Sequence, residues 1–283
     1  MKKYYLLPLF LLFLTISFSQ KKKNSNDVLK SSDLSGLKFR SVGPAFMSGR
    51  IADIAINPEN ENEWYVAVGS GGVWKTVNSG TTWKPITDDQ NFYSTGCITI
   101  DPHNSSKIWL GTGENVGGRH VGIGHGVYVS DNGGKNWKYM GLKSSEHISK
   151  IIVSPKDPNT VFVASQGPLW SPGGERGLYR TDNGGKTWKN VLSVNEWTGV
   201  TDIAIDHNNP NILYAATWQR HRNVASYMGG GPGTSIYKST DHGISWTEIK
   251  NGLPGSNLGK IGLAISPFDS SILYAAVETD RRN

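Results

Sequence analysis

The 283-residue chain contains one cysteine, Cys97. No internal disulfide can therefore staple it, and packing and backbone pairing must hold the fold. Cys97 alternates with Ile98 and Ile100 in strand fashion, which reads as a small buried residue rather than a nucleophile. Long apolar runs are also scarce. The one candidate, Tyr4 to Phe18, falls short of the roughly twenty residues that a membrane-spanning helix needs. It follows Lys2 and Lys3 and ends in Ser17, Phe18, Ser19 and Gln20. That order of charge, apolar core and small residues predicts a secretory signal peptide over residues 1–19, followed by a polar, unstructured leader over 20–37. No cysteine lies near the cleavage point, so neither a lipid anchor nor stable membrane insertion is expected. The protein reads as exported: periplasmic, cell-surface or extracellular. Excess charge is missing from the folded part as well. The net charge of +6 includes Lys2, Lys3 and Lys21 to Lys23, which leaves no basic surface for nucleic acid.

What is abundant is glycine, with 34 residues, and tryptophan, with ten, while helix-period runs are few. Such a composition predicts many short strands joined by tight turns. Two patterns recur. The first is a β-branched strand, a turn rich in Pro, Asn and Asp, and a second strand opening on an aromatic. It starts at Ile51, Cys97, Lys150, Asp202 and Gly262. Each time the last apolar residue of the first strand (Ile56, Ile100, Val153, Ile205, Ile265) stands nine positions before the aromatic (Tyr65, Trp109, Phe162, Tyr214, Tyr274). A constant offset predicts a constant turn length and register.

The second pattern follows four times, as TVNSGTTW from Thr76, SDNGGKNW from Ser130, TDNGGKTW from Thr181 and STDHGISW from Ser239. This is the Asp-box, a hairpin turn. Its hydroxyl (Thr76, Ser130, Thr181, Ser239) and its amide or acid (Asn78, Asn132, Asn183, Asp241) can bond backbone N–H groups. Gly80, Gly134, Gly185 and Gly243 supply a positive φ. Trp83, Trp137, Trp188 and Trp246 open the outgoing strand, where each can bury apolar area while its indole N–H finds a partner. A metal or catalytic role for the acidic position would need a carboxylate, and three of the four boxes carry Asn there, so turn bonding is the reading. The two patterns combine into four-stranded units, which predicts an all-β propeller of Asp-box blades over residues 38–283. Expected blades span roughly 50–90, 95–143, 147–194 and 199–252. A fifth, 258–283, has two strands, so the chain reads as the amino-terminal fragment of a longer protein whose remaining blades are its partners.

On the stretches FRSVGPAFMSGRI from Phe39, SGGVWKTVNSGTTW from Ser70, GTGEN from Gly111, RGLYRTDNGGKTW from Arg176, AATWQRHR from Ala215 and GGGPG from Gly229, the chain resembles bacterial exported Asp-box (BNR-repeat) proteins with a sortilin N-terminal-like domain. Members are often described as glycosyl hydrolases. The resemblance implies a propeller of seven to ten blades and leaves activity open, because fold alone does not choose it. It also implies that xyloglucanases of this type carry a catalytic Asp at the end of the second strand of the first blade. That place is Gly69 here. Phe39 and Arg40 echo the start of a sialidase arginine motif.

The repeats hold one face constant, so variation falls on the opposite one, where Thr112–His125, Gln166–Glu175 and Trp218–Gly233 are long loops. They carry Glu114, Arg119, His120, His125, Trp170, Glu175, Arg176, Trp218, Arg220, His221, Arg222 and Tyr227, with His147 and Trp197 on the connections between blades. Carboxylates, arginines and flat aromatics around one mouth suit a glycan or peptide ligand; solvated loops, or packing against further blades, are the plainer reading. Glu114 and Glu175 are the acids a glycosidase would need as a facing pair. His120, His125 and Glu114 lack the spacing of a metal site, and the glycine-rich loop between them precedes no helix that could aim amides at a phosphate. No cofactor or metal is expected. The leading expectation is a secreted scaffold that binds an extracellular peptide or polysaccharide through the loop face. The alternative is a glycoside hydrolase with part of its site in further blades.

Overall fold

The structure, a computed structural model, describes residues 30–37, 49–255 and 257–279. The expected signal peptide, most of the leader, Phe39 and Arg40 lie outside the described residues. Within the leader, Ser31–Leu34 forms a single turn of 3-10 helix. The chain divides into two compact units, residues 1–46 and 47–283, and the second contains every strand named below.

It is built from four-stranded antiparallel sheets in simple sequence order. Blade one holds β1 (Ile51–Ile56), β2 (Trp64–Val68), β3 (Gly72–Thr76) and β4 (Lys84–Pro85). Blade two holds β5 (Thr95–Asp101), β6 (Asn104–Thr112), β7 (Val127–Ser130) and β8 (Lys138–Gly141). Blade three holds β9 (Ile148–Val153), β10 (Val161–Ser165), β11 (Gly177–Thr181) and β12 (Lys189–Leu192). In blade four, β13 (Thr198–Ile205) and β14 (Leu213–Gln219) are followed by a small hairpin, β15 (His221–Arg222) and β16 (Tyr227–Met228). Then come β17 (Ile236–Ser239) and β18 (Thr247–Ile249). A last pair, β19 (Ile261–Ile265) and β20 (Leu273–Val277), starts the fifth unit.

The repeated spacing becomes a repeated register. In all five hairpins the last apolar residue of the first strand pairs with the residue eight further on: Ile56 with Trp64, Ile100 with Ile108, Val153 with Val161, Ile205 with Leu213 and Ile265 with Leu273. The aromatic next in sequence therefore turns to the other side of the sheet. There Tyr65, Trp109 and Phe162 are wholly buried.

Each core layer lies between neighbouring sheets. Tyr65, Val73, Ile98 and Leu110 fill the first layer, Trp109, Ile148 and Val163 the second, Phe162, Leu178 and Leu213 the third, and Ala216, Ile236 and Ile261 the fourth. Burying one such large side chain contributes about 1.5–3 kcal/mol. A blade can therefore complete its core only against a neighbour.

The first strands β1, β5, β9, β13 and β19 pack side by side around the centre. Register slips mark a bulge early in β1, β5, β9 and β13. After two of these bulges the chain places an aspartate that clamps the next blade: Asp53 Oδ2 accepts Ile98 N–H at 3.0 Å and Asp202 Oδ2 accepts Leu263 N–H at 2.8 Å. One end of the central space is an apolar cavity of about 810 Å³ lined by Ile54, Ile56, Ile100, Ile152 and Ile265. The other end, about 410 Å³, is polar, with Asp53, Asn115, Lys150, Asp202 and Lys260.

The four repeated turns share one bonding scheme. In the first, Thr76 Oγ1 donates to Asn78 Oδ1 and accepts Gly80 N–H, while Asn78 Oδ1 accepts Thr82 N–H at 2.9 Å. Ser130 and Asn132, Thr181 and Asn183, and Ser239 and Asp241 repeat it. Trp137 and Trp188 send their indole N–H across to the preceding blade, to Ile86 O and Met140 O. Trp246 instead bonds Gly243 O in its own turn. Gly185 has φ +86, and a Cβ there would also stand 3.1 Å from the Trp109 ring, so glycine suits both the turn and the close approach of the preceding blade.

Candidate functional site

The β2–β3, β6–β7, β10–β11 and β14–β17 loops and the connections between blades meet on the face opposite the repeated turns. One four-residue segment, Glu114–Gly117 on the β6–β7 loop, organises that face. The Glu114 carboxylate pairs with Arg50, Nη2 to Oε1 at 2.5 Å, and the Glu114 carbonyl accepts His147 Nδ1–H at 2.9 Å. Lys260 Nζ donates to Asn115 O at 2.7 Å, Arg220 Nη1 to Val116 O at 2.8 Å, and Arg222 Nη2 to Gly117 O at 3.1 Å. Donors belonging to every other blade therefore converge on successive residues of blade two. The segment lies at the polar end of the central space, which Asn115 lines.

Most of the polar residues expected to greet a ligand thus face inward. Arg220 is completely buried, and its other guanidinium bond is to Gly167 O. Arg176 gives all its side-chain bonds to carbonyls, those of Gln166, Pro168, Ser171, Gly173 and Trp197. Burial lowers both guanidinium pKa values, Arg176 to about 10 and Arg220 to about 9. Trp218 is buried and bonds Gly229 O at 2.8 Å. His147 is buried, and desolvation, with Arg220 adding to it, pushes its pKa down to about 3, which fixes it as a neutral donor to Glu114 O. Arg176, Trp218, Arg220, Arg222 and His147 are thus buried and bonded to backbone carbonyls, and direct ligand contact by them stays an expectation from sequence. Loops of this length contain backbone carbonyls that need buried partners, and these side chains supply them.

The two expected acids belong to separate networks. Glu114 is buried against Arg50, whereas Glu175 accepts Ser144 N–H at 2.7 Å and Ser144 Oγ–H at 3.0 Å. No contact joins them into a facing pair among the described residues. A Cβ at Gly69 would stand 2.5 Å from Glu114 Oε1, so the Glu114 carboxyl fills the space a side chain at 69 would occupy.

Arg119, His120 and His125 are exposed on the β6–β7 loop, and no grouping of three metal-ligating side chains exists among the described residues. Glu146, which the sequence reading passed over, sits beside His147 at φ +54, an uncommon backbone for a non-glycine residue. Burial raises its pKa, against the opposing pull of Arg176, Arg220 and His125. No sequence signal marks that backbone, because glutamate is not a turn residue. Arg50 and Lys260 were missed for another reason: each lies just before a first strand, far in sequence from the segment it holds.

Beside Arg119, His120 and His125, the side chains open to solvent on this face include aromatic and apolar ones. Trp170 is 48% exposed, and Tyr227, Met228 and Val224 are exposed on the β15–β16 hairpin. Trp197 packs against His221 with ring centroids 4.1 Å apart and the rings tilted by 49°.

A family model described as sortilin, neurotensin receptor 3, matches residues 125–278, more than half of the chain. The chain belongs to the Sortilin-Vps10 family. Among curated relatives of this Sortilin-Vps10 chain, a xyloglucanase of Hypocrea jecorina is 26% identical over 259 residues, covering 78% of this chain and 29% of its own. Xyloglucanase Xgh74A of Acetivibrio thermocellus is 24% identical over 266 residues, covering 80% and 29%. Among solved structures, an ancestral GH74 enzyme superposes with a TM-score of 0.59 at 21% identity, over 79% of this chain and 29% of that one. The GH74 xyloglucanase of Xanthomonas campestris gives 0.57 at 16%, over 82% and 35%. The all-β propeller architecture is shared with these structures. The Sortilin-Vps10 chain spans under a third of the length of the curated relatives it matches first.

Proposed function

We propose that this protein is an exported glycoside hydrolase of the Asp-box type whose loop face takes a β-linked glucan of the xyloglucan class. The observation that carries the reading is the likeness to xyloglucanases over about four-fifths of the chain. The segment Glu114–Gly117 supports it, because it occupies the loop-face end of the central space and favours a polymer lying across the face over a peptide entering the channel. Of the acids in this chain, Glu114 is the one proposed to matter for turnover: its carboxyl stands where a side chain at 69 would, at the end of β2. The second acid of the hydrolytic pair, needed on general grounds, is assigned to further blades. Export follows from the amino-terminal pattern of Lys2, Lys3 and the apolar run to Phe18.

One observation favours a second reading, a glycan-binding propeller without turnover. Arg50 neutralises Glu114, and the carboxylate is almost wholly hidden. Expression of the chain with its natural continuation, followed by reducing-end assays on xyloglucan, separates the two. Turnover that Glu114→Gln abolishes supports the hydrolase. Tight binding of xyloglucan with no turnover overturns it in favour of the binding propeller.

A further inference from the structure

We infer that Asn251 is a site of spontaneous covalent modification. In the folded protein its side-chain amide is lost, giving aspartate and isoaspartate, while two other asparagines in the same dipeptide are protected by the turns that hold them. The inference is independent of the glucan-directed reading above.

The reaction needs water and no enzyme. The backbone nitrogen of the following residue sheds its proton and attacks the Asn Cγ. The bond from Cγ to the side-chain nitrogen breaks, ammonia leaves, and a five-membered succinimide remains. Water then opens that ring at one carbonyl or the other, so that asparagine and water become ammonia and either aspartate or isoaspartate. This chemistry is one reason asparagine counts among the thermolabile residues. A following glycine has no side chain to obstruct the attack. The chain has three Asn-Gly pairs, Asn132–Gly133, Asn183–Gly184 and Asn251–Gly252. As dipeptides they are equal.

The fold makes them unequal. In the second and third repeated turns both reacting groups are already engaged. Gly133 N–H donates to Ser106 O at 2.8 Å and Gly184 N–H to Asn159 O at 2.9 Å, so neither nitrogen can lose its proton without breaking a bond. Asn132 Oδ1 accepts Ser130 Oγ–H at 3.0 Å and Asn136 N–H at 2.9 Å. Asn183 Oδ1 accepts Thr181 Oγ1–H at 2.8 Å and Thr187 N–H at 3.0 Å, and its Nδ2, the leaving group, donates to Thr187 Oγ1 at 2.8 Å. Each carboxamide must leave these partners before its carbon can meet the glycine nitrogen. Breaking two or three such bonds slows the attack by about tenfold or more. Asn251 and Gly252 lie just past β18 and are both exposed. Among the described residues the Asn251 side chain and the Gly252 N–H have no hydrogen-bond partner. Gly252 has φ +87, and no atom stands within 4 Å of where its Cβ would be.

The modified residue gains a negative charge, and the isoaspartate form also adds a methylene to the backbone between β18 and β19. That connection sets Leu253 against the fourth core layer and carries the buried Leu258, whose carbonyl accepts Gly231 N–H at 3.2 Å. The lengthened backbone thus lies where blade four hands over to β19 and β20, and it loosens that pair first.

The test ages the full protein with its continuation at mildly alkaline pH, folded and in urea. Mass spectrometry follows the three Asn-Gly peptides, and enzymatic methylation counts isoaspartate. In the folded protein Asn251 is expected to react about tenfold faster than Asn132 and Asn183, or more, whereas in urea the three rates should agree to within about threefold. Ser130→Ala strips one bond from Asn132 and should speed reaction there without changing Asn251. Gly252→Ala should slow Asn251 alone. Amide hydrogen exchange in the aged protein should quicken over β19 and β20 before the other strands. Equal rates at the three sites in the folded protein, or an Asn251 as slow as the two turns, overturn the inference. So does a difference that persists in urea, since neighbouring residues rather than the fold would then cause it. Unchanged exchange over β19 and β20 once isoaspartate has formed overturns the link to the fifth unit.

Discussion

Gly69 and Glu114 occupy one space: a Cβ at position 69 would meet Glu114 Oε1 at 2.5 Å and Cδ at 2.9 Å. The end of β2 in blade one and the loop after β6 in blade two therefore constrain each other, and Arg50 fixes the carboxyl between them at 2.5 Å. Gly69→Ala is expected to destabilise by about 1–3 kcal/mol through overpacking. Combining it with Glu114→Ala should recover part of that loss, giving a coupling of about 1 kcal/mol or more in a urea-denaturation double-mutant cycle. Strictly additive losses would show that the two residues do not compete.

Arg220 holds the segment Glu114–Gly117 from beneath. Arg220→Met removes both bonds, to Val116 O and Gly167 O, and strands two carbonyls in a buried site. The expected cost is about 2–4 kcal/mol. Amide hydrogen exchange should quicken across 113–126 more than in the repeated turns. Protection that falls evenly over all blades would argue against a local brace.

His147 makes stability fall on the acid side. Its pKa in the fold is near 3, driven down by burial and then by Arg220, against about 6.5 when unfolded. The unfolded chain thus binds the proton first. The contribution is fully present above pH 6.5 and is lost progressively as pH falls toward 3. His147→Asn should flatten the slope of melting temperature against pH between 6.5 and 4, whatever its effect at pH 7. A slope as steep as that of the wild type would assign the acid limb to other groups.

In the fourth repeated turn, Ser239→Ala should cost more than Asp241→Asn. Ser239 Oγ serves Gly243 N–H and Asp241 together, and its loss leaves about 1–2 kcal/mol of unmet bonding, whereas asparagine already fills the acid position in the three other turns. Hydrogen bonds from Ser245 first, then Ser239, hold the Asp241 carboxyl well below the usual carboxylate range. Its ionised-state stabilisation is present above the unfolded pKa near 3.9 and disappears as pH falls through the lower folded value. Melting curves from pH 6 to pH 2 should therefore show any advantage of Asp241 over Asn shrinking with acid. An advantage that grows with acid would reverse the assignment.

The fold was legible because it repeats. Spacings such as Ile56 to Tyr65 and Ile205 to Tyr214 recur, and a register that recurs cannot be accidental; the hydroxyl, amide and glycine of each turn announce their bonds in their chemistry. The loop face was legible only in outline. The spacing of the repeats told that Arg176 and Arg220 lie on long connections and set Trp218 with them, although Trp218 belongs to β14, and it did not tell that those connections carry buried carbonyls these side chains must satisfy. Exposure separates Trp170 from Trp218, and nothing in their sequence neighbourhoods does. Glu146 and Arg50 were invisible because their importance comes from contacts across blades.

The indoles of Trp137 and Trp188 bond carbonyls of the blade before them, and Gly185 and Gly243 stand close against Trp109 and Phe162 of the preceding blade. The outer edges of blades one and two are thus each finished by a tryptophan that leaves the ribosome later than they do, Trp137 and Trp188, so in a growing chain each of those edges stays open until the following turn has been made.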